Sequence, residues 1–280
     1  VIGGHVYRGP DAPEWQGLYL AADYCGRLFA LDAEGAVRYS SLIPQRLSTF
    51  GEDADGHLFA ADGITGEVYR IDMVGPPAEP GHFADAFDRE DEDGWGWPDS
   101  GRPWSRVEGA RSAFAVRASA GHMAPGDAPG VRSRMRALVA QLDTDVLVSW
   151  SWDGDPVTEL ETMARYVDGR SHYGVRLRRG DDGTCLLSLD DGLEAIVAWI
   201  DTGVDCVPGR RYWWRTRTVG SDPTTVTSRI WSEGMPEPDT WMLTATDQTP
   251  ALQAKADVGL GARGPGAVSW HDVSITSPDQ

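Results

Sequence analysis

Two stretches near the start of the chain are versions of one another, and short-range self-similarity restricts a fold to repeat architectures. GLYLAADYCGRLFALD, from Gly17, lies over GHLFAADGITGEVYRID, from Gly56, with one extra residue in the second copy. Each copy runs glycine, apolar stretch, Ala-Ala-Asp, a short turn holding Gly26 or Gly66, and a second stretch ending at Asp32 or Asp72. Leu28 and Ala30 alternate with Arg27 and Phe29, as in a half-buried strand. Asp53-Ala54-Asp55-Gly56 supplies Asp and Gly where a tight turn needs positive φ. Each copy is therefore predicted to be a hairpin. Helical repeats of similar period would need apolar residues every three to four positions, which are missing, so the period predicts propeller-type blades. A propeller closes with roughly 4–8 blades. Residues 1–73 hold material for about two, so the array is expected to be partial.

Val74-Gly75-Pro76-Pro77-Ala78-Glu79-Pro80-Gly81-His82 cannot continue a strand or a helix, and 74–82 is predicted to be a linker. Beyond it the patterns have period two. Met135, Ala137 and Val139 form one set, and Val146, Val148, Trp150 and Trp152 another. Tyr173, Val175 and Leu177 alternate with His172, Gly174, Arg176 and Arg178. Turn clusters such as Asp168-Gly169, Asp181-Asp182-Gly183, Asp190-Asp191-Gly192 and Ser221-Asp222-Pro223 separate them. The expected fold class is all-β: a partial β-propeller, then an antiparallel β-sandwich of jelly-roll type over 83–280.

Forty-three acidic against 25 basic residues give a formal charge of −18, which repels phosphate backbones and anionic lipid surfaces. Nucleic acid and membrane are not expected partners, and no apolar run is long enough for a spanning helix. The chain opens at Val1-Ile2-Gly3-Gly4 without a starting Met, so its beginning reads as internal. Three cysteines without C-x-x-C spacing argue against a metal cluster. Cys185 and Cys206 either pair in an oxidising compartment or sit as two buried thiols on separate strands.

GGHVYRG (3–9), the strand at 16–20, DYCGRLFAL (23–31) and STFGEDADGHLFAAD (48–62) together resemble the closing blades of bacterial quinoprotein glucose/sorbosone dehydrogenases. The resemblance covers about a quarter of the chain. It implies a secreted (extracellular or periplasmic) parent that oxidises a sugar with pyrroloquinoline quinone (PQQ) and calcium, its remaining blades lying upstream. The catalytic histidine of that family belongs to an early blade, and His5 and His57 fall in the wrong repeats, so no catalytic residue is assigned. Of the family's cofactor-contacting cations, one falls on Arg46, while its neighbour two positions on is Ser48. One arginine is a weak grip on a tricarboxylate. The run at 52–56 reads as turn chemistry rather than a calcium loop.

The second region resembles concanavalin-A-like and laminin-G-like jelly-roll modules, through AFDREDEDGWGWPDSGRPW (86–104), TDVLVSWSWD (144–153), HYGVRLRR (172–179), SRIWSEGMPEPDTW (228–241) and VSWHDVSI (268–275). Glucanases on this fold carry Glu-x-Asp-x-x-Glu on one strand. Glu159-Leu160-Glu161 and Asp143-Thr144-Asp145 lack the third carboxylate. Trp213, Arg215 and Arg217 share one face of a strand, placed beside a candidate neighbour bearing Arg176 and Arg178. Such a face either stacks and hydrogen-bonds a glycan or is a solvated surface whose arginines cover a tryptophan. Trp95, Trp97 and Trp104 either line a loop pocket or are buried, and the acidic run Asp88, Glu90, Asp91, Glu92 and Asp93 is expected to be solvated. His271-Asp272 reads as an edge-strand pair. The expected function is therefore the non-catalytic end of a carbohydrate-associated protein, with a glycan- or surface-binding jelly-roll. The alternatives are part of an active dehydrogenase or a purely architectural sandwich.

Overall fold

The alternation of Leu28 and Ala30 with their neighbours, and of Leu58 and Ala60 with theirs, buries every second side chain of the two repeats in two small clusters, Ala30 with Leu58 and Leu28 with Ala60. The computed structural model describes residues 2–23, 27–35, 37–42, 46–73, 82–91, 94–99, 103–126, 128, 130–153 and 159–278. Residues 74–81 of the predicted linker at 74–82, with Cys25 and Gly26, lie outside these. The chain divides into two units, the first running through His82 and the second beginning at Phe83.

In the first unit β1 (Ile2–Val6), β2 (Tyr19–Asp23), β3 (Arg27–Leu31) and β4 (Val37–Leu42) form one antiparallel meander. A second is built from β5 (Leu47–Glu52), β6 (Leu58–Asp62) and β7 (Val68–Ile71). The two repeats are the hairpins β2–β3 and β6–β7. Gly56 has φ +87° and closes the turn between β5 and β6, where Asp53 Oδ1 accepts the N–H groups of Asp55 and His57. Trp15, Leu18 and Leu20 pack with Leu58 between the meanders. Among the described residues the meanders close no ring.

The second unit is a sandwich. Its strands are β8 (Phe83–Asp85), β9 (Ser105–Glu108), β10 (Phe114–Arg117), β11 (Ala120–Met123), β12 (Arg132–Gln141), β13 (Thr144–Ser151), β14 (Glu159–Asp168) and β15 (Ser171–Arg179). They continue as β16 (Thr184–Asp190), β17 (Ala195–Asp205), β18 (Tyr212–Val219), β19 (Thr224–Ser232), β20 (Leu243–Asp247), β21 (Ala256–Arg263) and β22 (Val268–Thr276). One sheet runs β10-β11-β22-β13-β18-β19-β20, with β8 also on β22. The other runs β17-β16-β15-β14-β21-β12-β9. The inward sets are those the alternation predicts: Val146, Val148 and Trp150 meet Tyr173, Val175 and Leu177 in one core. Thr162 and Thr216 hydrogen-bond across it at 3.1 Å. Trp95 and Trp104 are core residues packed with Phe83, Phe87 and Phe114, which excludes them from a loop pocket.

Two features depart from regular pairing. In β14 the register against β21 slips by one residue between Met163 and Tyr166, and Arg165 has φ +48°. This bulge turns the fully buried Arg165 inward. There it donates to the carbonyl oxygens of Leu142, Gly220 and Leu252 and to the Thr224 hydroxyl. The outermost strand, β17, meets β16 through three register irregularities, and a disulfide between Cys185 and Cys206 ties this hairpin. Cys185 and Cys206 are thus bonded and not two free thiols; adjacent strands bring their Cα atoms to 5.1 Å, within bridging range.

The bridge spans 21 residues, for which loop closure predicts about 3 kcal/mol of stabilisation. Replacing both cysteines by serine is expected to lower the unfolding free energy of the second unit by about that amount, read from urea titrations with and without reductant; reductant should leave the double variant unchanged.

Candidate functional site

Strand alternation gives the seven-stranded sheet a charged outer face. On β12 Ser133, Met135 and Ala137 are buried, and Arg132, Arg134 and Arg136 alternate with them. β14 contributes Glu159 and Glu161, β15 His172 and Arg176, and β16 Asp190. The pairing register aligns Arg134 and Glu161 on either side of Gly261. A Cβ at Gly261 would lie 3.1 Å from Arg134 Cγ and 3.2 Å from Glu161 Oε2, so glycine leaves the room in which the two side chains meet. Gly174 does the same for Glu161 and Asp190: its Cβ would come within 2.8 Å of Glu161 Oε1.

Glu161 Oε2 accepts from Arg134 Nε at 2.9 Å and lies 2.7 Å from Arg134 Nη2, while Oε1 is 3.2 Å from His172 Nε2. Arg176 Nε is 2.7 Å from Asp190 Oδ2. Arg134, Glu161, His172 and Asp190 are all buried. Burial pushes the Glu161 carboxyl up, but the hydrogen bond from His172 and the charges of Arg134, His172 and Arg176 outweigh it and hold the group at about 2. Burial wins at Asp190 and raises it, against the opposing charge of Arg176. Ligand atoms of Glu161, His172 and Asp190 lie within 4.8 Å of one another, yet Arg134 and Arg176 already neutralise both carboxylates, and a divalent cation there would face like charge.

Beside this network an open cavity of about 460 Å³ is lined by Glu108, Arg132, Arg134, Tyr166, Arg170 and Leu193 among others. The bulge at Arg165 places Tyr166 here. Without it the alternation from Leu160, Thr162 and Ala164 would send Tyr166 inward. Arg136 lies over its ring, 5.9 Å from the centroid. A narrower hollow lined by Arg132, Glu159, Glu161, Arg176 and Arg263 adjoins it, with Arg132 common to both.

The other sequence-predicted residues lie elsewhere. Trp213, Arg215 and Arg217 are on β18 of the eight-stranded sheet, whose neighbours are β13 and β19. Arg176 and Arg178 are on β15 of the opposite sheet, so the two sets do not form one face. Arg178 covers Trp199 at 4.4 Å, and Arg176 serves the carboxylate network. The β18 arginines are occupied within the unit. Arg215 binds Glu237 at 2.7 Å and Asp145 at 2.9 Å, Arg217 binds Asp145 at 2.6 Å, and Trp241 stacks under Arg217 and Arg229. Arg46 exposes its side chain; its backbone N–H donates to Asp62 Oδ2 at 2.8 Å. His271 and Asp272 sit on β22, an interior strand rather than an edge. Ser151 Oγ is 2.8 Å from His271 Nε2, but Asp272 is spent on Ser149 and Arg211, so it is not placed to orient the imidazole.

Sequence reasoning missed Arg134, Glu161, His172, Asp190 and Tyr166 as one site. The search for three carboxylates took one strand at a time, whereas Glu161 and Asp190 come from strands separated by β15. The alternation around Met135 and Ala137 already placed the β12 arginines outward and was the available signal.

No protein-family model matches the chain, and no curated protein sequence does. Among solved structures it is similar to a Bacillus licheniformis β-glucanase (TM-score 0.49, 11% identity, 70% of this chain and 98% of that one). It is similar also to the carbohydrate-binding module CBM66 from Bacillus subtilis (TM-score 0.45, 15% identity, 62% and 95%). A third is a xylan β-1,4-xylosidase from Bacillus halodurans C-125 (TM-score 0.46, 9% identity), which covers 98% of this chain, while this chain spans 64% of the xylosidase.

Because Glu161 is held below its unfolded value of 4.5, its contribution to stability is complete above that pH and is lost as pH falls toward about 2. Asp190 acts with the opposite sign, since its raised group takes up a proton more readily in the folded chain. Glu161→Gln is expected to cost about 3 kcal/mol at pH 7, with the difference from wild type shrinking between pH 4.5 and 2, as measured by urea unfolding across pH.

Proposed function

We propose that the second unit is a saccharide-binding β-sandwich whose ligand seats in the cavity over Arg134 and Tyr166. One observation carries this: an open cavity of about 460 Å³ brings an aromatic ring, an aliphatic rim, guanidinium donors and a carboxylate acceptor together on a rigid sheet. A sugar ring needs this mixture, since its C–H faces pack on aromatic and aliphatic groups while its hydroxyls both donate and accept. Leu193 is exposed at the rim, and the side chain of Glu108 is partly exposed.

Binding without hydrolysis is the better reading. A glycosidase needs one carboxyl group able to give up a proton and another to act as base or nucleophile. Here both oxygens of Glu161 are engaged by Arg134 and His172, and Asp190 is paired with Arg176. The disulfide accords with export to an oxidising compartment, extracellular or periplasmic. In this proposal the first unit is the end of a longer blade array. That the array belongs to a PQQ-dependent sugar dehydrogenase rests on the sequence resemblance alone.

Calorimetric titration of the whole chain with hits from an oligosaccharide array tests the proposal. Tyr166→Ala is expected to weaken binding about tenfold, near 1.4 kcal/mol, while Trp213→Ala leaves it unchanged, with melting curves confirming that both variants fold. Absence of binding to any saccharide, or loss through Trp213→Ala alone, overturns it.

A further inference from the structure

The arginines of the outer face of the seven-stranded sheet can be accounted for one at a time. Arg134 is held by Glu161, Arg176 by Asp190, and Arg136 lies 3.6 Å from Asp257 and over Tyr166. Arg178 covers Trp199, Arg263 is 3.7 Å from Glu159, and Arg106 on β9 donates to the Gly109 carbonyl oxygen at 2.6 Å. Two remain. Among the described residues no carboxylate pairs with the side chains of Arg132 or Arg170, and both line the cavity. Arg170 is exposed and Arg132 is half-buried. Among the described residues the one acidic side chain in the cavity lining is Glu108, which lies 3.4 Å from Arg134. In a chain of formal charge −18 this cavity is therefore locally cationic, with two guanidinium forks for which no described residue supplies a partner.

We infer that the ligand of this cavity is an anionic saccharide whose oxyanion, a sugar carboxylate or sulfate ester, is taken by Arg132 and Arg170. This deepens the saccharide-binding proposal and rests on it. A guanidinium presents paired N–H donors in a plane that matches two oxygens of a carboxylate or sulfate, and such bonds are stronger than those to neutral hydroxyls. The Arg134–Glu161 pair, already neutralised, gives the floor hydrogen-bonding capacity without net charge. Exposed charges are screened by salt, so the preference for an anionic ligand declines with ionic strength.

The test titrates the full chain at low salt with an oligogalacturonate, a sulfated oligosaccharide and a neutral cello-oligosaccharide of equal length. At least one anionic ligand is expected to bind about tenfold more tightly than the neutral one, or near 1.4 kcal/mol, and the two anionic arms decide between carboxylate and sulfate. Arg132→Gln/Arg170→Gln should bring the preferred ligand down to the neutral level without shifting the melting temperature, because neither side chain is committed to the fold. Equal or tighter binding of the neutral ligand overturns the inference and leaves saccharide binding standing, as does a preference that survives in the double variant. Failure of all three ligands and of the oligosaccharide array overturns both readings.

Discussion

One extra residue in β14 organises the second unit. A strand that kept its alternation would turn Tyr166 into the core and Arg165 to the outer face; the bulge, with Arg165 at φ +48°, exchanges the directions in which they face. A guanidinium inside a sandwich is tolerable only if its donors are met. The carbonyls of Leu142, Gly220 and Leu252 and the hydroxyl of Thr224 meet them, from segments belonging to both sheets. The same distortion that closes one end of the core therefore turns an aromatic ring toward the cavity on the other face, and packing and site geometry cannot be varied independently there.

The two outer faces reach different ends from similar ingredients. On β18 the segment after β19 returns Glu237 and Trp241 over Arg215, Arg217 and Arg229, so cations and aromatic rings saturate one another. Over β12 and β14 no such return occurs among the described residues, and the neutralised network of Arg134, Glu161, His172, Arg176 and Asp190 lies beside open space. A buried ion network is poor evidence of stability in itself, because desolvation offsets much of the Coulomb gain. What it provides here is position: each side chain is fixed by two or more partners.

The fold was legible where a single periodicity carried the information. The duplicated hairpins and the inward sets at Val146, Val148 and Trp150 and at Tyr173, Val175 and Leu177 follow from alternation and turn residues alone. The site was not, because it depends on which strands become neighbours. Trp213 and Arg215 were placed beside Arg176, yet these strands belong to different sheets, and nothing in the spacing of either distinguishes the two outcomes. Glu161 and Asp190 meet across an intervening strand through the gap that Gly174 leaves, and the bulge that turns Tyr166 outward falls in a run whose sequence gives no break in pattern. Cys185 and Cys206 were equally ambiguous until the hairpin register set them opposite one another.

The hairpin of β16 and β17 forms one border of the seven-stranded sheet, and a long border strand is ordinarily a template on which further copies can polymerise. Three irregularities, the positive-φ Gly203 and the outward carboxylates of Asp201 and Asp205 make this one a poor template, while the covalent bridge keeps it from peeling away to expose a straighter strand beneath. The sheet is finished at that margin, so the chain can reach a high local concentration without seeding fibrils from this strand.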